Sequence, residues 1–278
     1  MKNAEKWSVA EVISALENYD IDEEDLVYTF LGCSIEDIQP VIILAPYWNP
    51  SLFLEVWPNQ REIVPNRVWK ISLDRIKITY IRTGIGAPLF GDVALLLTLP
   101  SIHCEKVIFL GSVGGLSPHL SIGDLVLPTT SVSGAGFSRY LNRSKLANGD
   151  RFGAISIPNK ELQNKLKDAA DRIVTAENAN VKIHQGNVFT ADTIVAQFLH
   201  LDEIREMNCI GIEMETAVFF DIMKTAHIPT AALLLVSDNS ITKKTLFSGR
   251  SAAEGEFIKT IKKKIIPLIV SKAISNND

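Results

Sequence analysis

Residues 210–239 read I-G-I-E-M-E-T-A-V-F-F-D-I-M-K-T-A-H-I-P-T-A-A-L-L-L-V-S-D-N. The stretch predicts a strand end, a helix, a short connection and a second strand. Ala217, Phe220, Ile222, Met223 and Ala226 recur at roughly helical intervals, and Pro229 stops the pattern. Ala231–Val236 is apolar without alternation, as expected of a strand buried on both faces. Such a strand carries no charge until it emerges. Ser237 and Asp238 therefore belong to its carboxyl end, the rim where open α/β sheets bind ligands. Glu213 and Glu215 flank Met214 just before the helix. Taken singly, each acid has an ordinary explanation, as a helix-start carboxylate favoured by the dipole or as the cap of a turn. Taken together, they put carboxylates at two strand ends that a βαβ connection brings side by side.

Upstream, short apolar runs alternate with helical patterns. Strands are expected at Val41–Leu44, Arg67–Lys70, Lys77–Arg82, Val107–Leu110, Ile122–Pro128 and His184–Asp192. Helices are expected at Phe90–Leu99, Asn159–Val174, Leu199–Met207 and Ser251–Ser275, the last with Pro267 as a kink or break. Strand ends carry glycine, at Gly84-x-Gly86 and at Gly111-Ser112-x-Gly114-Gly115. This alternation is the α/β signature. Glycines there let backbone amides approach an anion, although tight turns explain most such pairs. Neither turn is a dinucleotide fingerprint or a P-loop. Ser133–Gly153, rich in Ser, Gly, Asn and Arg, reads as a surface excursion or flap. Residues 1–38 read as a helical N-terminal extension, with Val9, Val12, Ile13 and Leu16 as its stripe and Ser8 as its cap.

Bulk properties narrow the class. The 278 residues suit one large α/β domain or two small ones. Hydrophobic residues at 46% and charged residues at 22% are globular values. A net charge of −4 with no long basic tract argues against nucleic acid as partner. No apolar run approaches the roughly 20 residues of a membrane span, and the N-terminus does not read as a signal peptide. Cys33, Cys104 and Cys209 lie far apart without a C-x-x-C pair, which fits a reduced, cytoplasmic setting. The five histidines show no metal-ligand spacing, so no metal is expected.

Four blocks in order are specific enough to name a family: G-I-G-A-P at 84–88, G-S-V-G-G-L-S-P-H-L-S-I-G-D-L-V at 111–126, G-N-V-F-T-A-D at 186–192, and G-I-E-M-E-T-A with L-L-L-V-S-D-N within 211–239. The chain resembles the nucleoside phosphorylase and nucleosidase family, nearest the bacterial, oligomeric purine nucleoside phosphorylases. The match runs from about Val41 to the C-terminus. The resemblance implies a single three-layer α/β/α domain at 39–278, with a central mixed, twisted sheet. It implies a homo-oligomer, a dimer or a trimer of dimers, acting on a purine nucleoside without a cofactor, with inorganic phosphate as co-substrate. Phe189 would stack on the base and Ile212 would line its pocket. Met214 and Glu215 would hold the ribose, with Glu213 secondary. Asp238 would protonate N7, supported by Ser237 and positioned by Arg250. That chemistry predicts a raised pKa at Asp238.

The acceptor side departs from the pattern. The phosphorylases keep an arginine two positions before the glycine of the G-S-x-G block, and Phe109 stands here. They also carry an arginine in the loop after the first strand, which here reads Ala45-Pro46-Tyr47-Trp48-Asn49-Pro50. Gly84, Gly86 and Ser112 remain as phosphate or acceptor residues, and Arg82 is the candidate relocated cation, with a solvated strand-end arginine as its plainer reading. Nucleosidases activate water with a glutamate in that loop, and it holds no acid before Glu55. Uridine-specific members read the base with a glutamine and arginine pair, and 192–197 has no arginine. Three readings therefore stay open: phosphorolysis with hydrolysis as runner-up, a nucleoside-binding protein without turnover, and a pocket filled by Tyr47, Trp48 or Phe109.

Overall fold

The computed structural model describes residues 7–141 and 151–275. Two helices, α1 (Val9–Asn18) and α2 (Glu23–Leu31), precede the sheet. Then come β1 (Val41–Ala45), β2 (Gln60–Val64), β3 (Val68–Leu73), β4 (Ile76–Arg82), α3 (Ala87–Leu96), β5 (Lys106–Gly115), β6 (Leu125–Ser133) and β7 (Ile155–Ser156). The second half is α4 (Lys160–Ala176), β8 (Ile183–Thr190), α5 (Leu201–Glu206), β9 (Cys209–Glu213), α6 (Thr216–Thr225) and β10 (Thr230–Asn239), closed by α7 (Ala252–Thr260) and α8 (Ile266–Ile274).

The sheet is mixed, as expected. β2, β3, β4 and β1 run in that order up to β5. β5 then carries β10 along one edge, parallel, and takes β9, antiparallel, at its far end. β10 pairs with β6, β6 with β8, and β8 with β9. The strands β5, β10, β6, β8 and β9 therefore close into a ring. The unalternating apolar strands are explained by the two layers of helix. In β10, Ala232, Leu234 and Val236 enter the core that contains α3 and α6, while Ala231, Leu233 and Leu235 enter the core that contains α4 and α8. Both faces of the strand are buried, so neither tolerates a polar residue.

Several boundaries differ from expectation for identifiable reasons. α3 begins at Ala87 and not at Phe90, because Pro88 fits the first turn, where no amide is needed. Gly86, at φ +98°, is the residue before that turn, a conformation that favours glycine. The expected strand at Ile122 begins at Leu125, after a turn. The strand β2 was not expected; its residues, Gln-Arg-Glu-Ile-Val, read as polar because it is the edge of the sheet. The helix expected at 199–207 is a 3-10 turn, Ala196–Leu199, followed by α5. Ser8 caps α1 in a capping box with Glu11, and Val27 and Leu31 of α2 are buried in the same core as α3. Of the excursion at 133–153, residues 142–150 lie outside the described residues. Pro267 does not break the C-terminal helix: a π turn at Ile261–Ile265 joins α7 to α8. No helix among the described residues is long and apolar enough to cross a membrane.

Candidate active site

Three strands meet at Gly114. In the register of the sheet, Gly114 of β5 lies beside Asp238 of β10 on one edge and beside Ile212 of β9 on the other. A side chain at 114 would have its Cβ 3.2 Å from Ile212 Cγ2 and 3.5 Å from Asp238 Oδ2. A side chain there would be crowded against Ile212 and in contact with Asp238. The strand β10 runs on to Asn239, beyond the expected end at Val236, and its pairing shifts register between Val236 and Asp238. Such an irregularity re-aims side chains. Ser237 and Asp238 consequently both line one cavity.

That cavity, of about 310 Å³, also takes in Glu213, Met214 and Glu215, so three acids of the opening stretch, Glu213, Glu215 and Asp238, face a common space. Glu215 is 5% exposed and Asp238 6%. Glu215 Oε1 accepts from the Gly86 amide at 2.6 Å. Burial first, and the neighbouring Glu213 second, push Glu215 up to about 8. Burial likewise raises Asp238, while the Ser237 hydroxyl, the Arg250 charge and the Leu246 amide pull it back. Ser237 Oγ donates to Asp238 Oδ1 at 2.5 Å, and Arg250 Nε donates to the Ser237 carbonyl at 3.0 Å.

Glu213 lines the same cavity and also serves the fold. Its Oε2 accepts the amides of Glu215 and Thr216, both at 2.7 Å, which satisfies the open start of α6. Its Oε1 accepts from the Thr216 hydroxyl at 2.7 Å and from the Thr190 hydroxyl. Burial raises its pKa and these donors oppose the rise.

The structure brings Ser112, Ile212, Glu213, Met214, Glu215, Ser237, Asp238 and Arg250 to the cavity. Phe189, Arg82, Gly84 and Gly86 are not among its lining residues. Phe189 is buried with Val132 and Ile212, and its ring meets that of Phe152 edge-on at 6.0 Å. It lies over Gly134, where a side chain would collide with it. Ile194, Gln197 and Leu246 also line the cavity. The Arg82 guanidinium lies over the Tyr47 ring at 5.6 Å. Gly86 reaches the site through its amide on Glu215.

The pocket is not filled. Phe109 is 1% exposed and turned to the helical layer, edge-on to Phe90 at 5.3 Å and tilted against Phe219 at 5.9 Å. Tyr47 is 66% exposed, and Trp48 forms wall. Sequence reasoning missed Lys262, which lines the cavity from the π turn. Its only sequence signal is a run of three lysines, 262–264, which resembles a solvated helix face. Among the described residues no group of three or more side chains is arranged to hold a metal.

The model of the phosphorylase superfamily matches residues 44–268. The DeoD-type purine nucleoside phosphorylase of Buchnera aphidicola subsp. Baizongia pistaciae is 28% identical over 169 residues, which are 60% of this chain and 65% of that protein, short of two thirds of its length. The fold is shared with a purine nucleoside phosphorylase from Toxoplasma gondii in complex with immucillin-H (TM-score 0.67, 22% identity, 88% of this chain and 93% of that one). It is shared equally with an AMP nucleosidase from Bacteroides thetaiotaomicron (TM-score 0.65, 20% identity, 90% and 93%). By sequence and by fold, this chain belongs to the phosphorylase superfamily.

Proposed function

We propose that the cavity cleaves the N-glycosidic bond of a purine nucleoside by phosphorolysis, in the service of nucleoside salvage. The carrying observation is that two buried carboxyl groups, Glu215 and Asp238, line one cavity. Phosphate oxygen attacks C1′ of the ribose as the bond from C1′ to the base nitrogen breaks. The bonding electrons leave with the base, which takes a proton at N7 from Asp238. Burial favours the neutral acid that this step consumes. Glu215 hydrogen-bonds the ribose hydroxyls and fixes the orientation of the sugar over the cavity. Met214 and Ile212 flank the sugar and base. Ser237 and Arg250 are positioning residues, acting on Asp238 from the hydroxyl and the carbonyl of one residue.

Hydrolysis is the second reading, and the placement of Phe109 in the helical layer favours it, since no arginine stands there. We take no cofactor to be required. We expect a homo-oligomer in the cytoplasm, with exposed Val195, Leu199 and Phe247 available to a second copy. Release of free base from purine nucleosides, measured with and without inorganic phosphate, tests the proposal. Release should require phosphate, and Asp238→Asn should lower it by about 100-fold or more while nucleoside binding is retained. Release without phosphate would establish hydrolysis instead, and turnover undiminished in Asp238→Asn would remove the acid from the scheme.

A further inference from the structure

Lys262 has an origin in the covalent structure. Pro267 lacks an amide hydrogen, and its ring would press on the carbonyl of Lys263, four residues earlier. The helix widens just before it: the Ile266 amide bonds back to the Ile261 carbonyl. One extra residue turns the preceding face by about 100° relative to the rest. Ile258 and Lys262, four apart, both line the cavity, while Lys264 pairs with Glu177 at 2.5 Å. Three successive lysines thus have different surroundings.

Lys262 lacks the usual partner of a half-buried cation. Among the described residues it has no carboxylate and no hydrogen-bond acceptor; its ammonium lies 4.8 Å from the centre of the Trp48 ring. Burial first, and repulsion from Arg250 second, bring its pKa down to about 8. Arg250 spends its Nε on the Ser237 carbonyl, and its Nη groups have no partner among the described residues. Arg250 acts electrostatically on Asp238, whereas the charge felt by Lys262 is the repulsion of Arg250, so an anion between the two cations would relieve it. Ser112, exposed, lines the same cavity.

The geometry points to Lys262, with Arg250 and Ser112, as a subsite for a phosphate group, replacing on the C-terminal helix the cations absent at Phe109 and in the 45–50 loop. This rests on the reading of the cavity as a nucleoside site. A phosphate dianion offers several acceptor oxygens to an ammonium, a guanidinium and a hydroxyl, and charge-assisted bonds of this kind are about twice as strong as neutral ones. The group arrives either as free inorganic phosphate or as a phosphomonoester on the nucleoside.

Calorimetric titration of the full chain tests this, using inorganic phosphate, adenosine and adenosine 5′-monophosphate as probes. The chains compared are unchanged, Lys262→Met, Lys262→Arg and, as a control for lost charge, Lys263→Met. Thermal midpoints identify any variant that fails to fold, and the arginine variant keeps the cation where methionine does not. Phosphate binding weakened about tenfold or more in Lys262→Met, and held in Lys262→Arg and Lys263→Met, supports the subsite with free phosphate as its ligand. Monophosphate binding tighter than adenosine binding, with the advantage lost only in Lys262→Met, supports it with the ester. Phosphate and monophosphate affinities that ignore Lys262, or that fall equally in Lys263→Met, overturn it. These titrations are separate from base release: a chain that binds phosphate through Lys262 yet cleaves no nucleoside defeats the glycosidic reading and leaves the subsite standing.

Discussion

The two ends of the cavity are built differently. At the acid end, Glu215 and Asp238 are buried, hydrogen-bonded and anchored beside three paired strands. At the acceptor end, the cations come from the periphery. Arg250 is exposed on the segment after β10, and Lys262 hangs from an interrupted helix. On the function we propose, bond cleavage rests on groups fixed by the sheet, whereas choice of the incoming nucleophile falls to groups outside it.

Phe109 gives the largest expected effect. Its ring is sealed between Phe90 and Phe219, so Phe109→Ala should cost about 3–5 kcal/mol in denaturant unfolding. Base release per folded molecule, and its phosphate dependence, should stay as they were. A changed phosphate dependence would mean that the acceptor end reaches into the helical layer, and the contrast would fail.

Gly114→Val comes next. Its added atoms would meet Ile212 and Asp238, whose separation the glycine sets. Turnover should fall about 100-fold, the order expected for displacing a reacting group by about 1 Å. The phosphate affinity measured by calorimetry should change far less. Equal losses in both would show that the two ends move together.

The last test is in pH dependence. Glu215 sits near 8 in the folded chain against 4.5 for an ordinary glutamate, so the native state holds a proton that the unfolded chain has released between those values. Its contribution is complete below about pH 4.5 and disappears as pH rises through 8. Unfolding free energy should drop as pH rises from 5 to 8.5, most steeply above about pH 5, and Glu215→Gln should flatten that drop. A drop unchanged in the variant would move the titration to another buried acid and weaken the picture of the acid end.

The same contrast decides what was legible beforehand. The acid end lies on contiguous motifs, because a strand buried on both faces shows where it emerges, and Ser237-Asp238 follows an unbroken apolar run. The register shift that lets both residues face the cavity was not legible, since nothing in Leu-Val-Ser-Asp-Asn distinguishes a regular strand from a shifted one. Phe189 was placed on the cavity by resemblance, and its actual position depends on contacts with Gly134 and Phe152 far along the chain. Lys262 was hidden for a different reason. Which lysine of three turns inward depends on one added residue in a helical turn, and periodicity assumes a constant 3.6.

The closed circuit of β5, β10, β6, β8 and β9 has a consequence for traffic. A sheet with free edges can hinge, but here β9, which leads into Glu215, and β10, which carries Asp238, are both paired to β5. We expect entry and exit at the segments bearing Gln197 and Leu246, which line the cavity outside the circuit. Amide exchange should therefore be quick along those segments and slow across the doorway's far wall, where Gly114 is held on both sides.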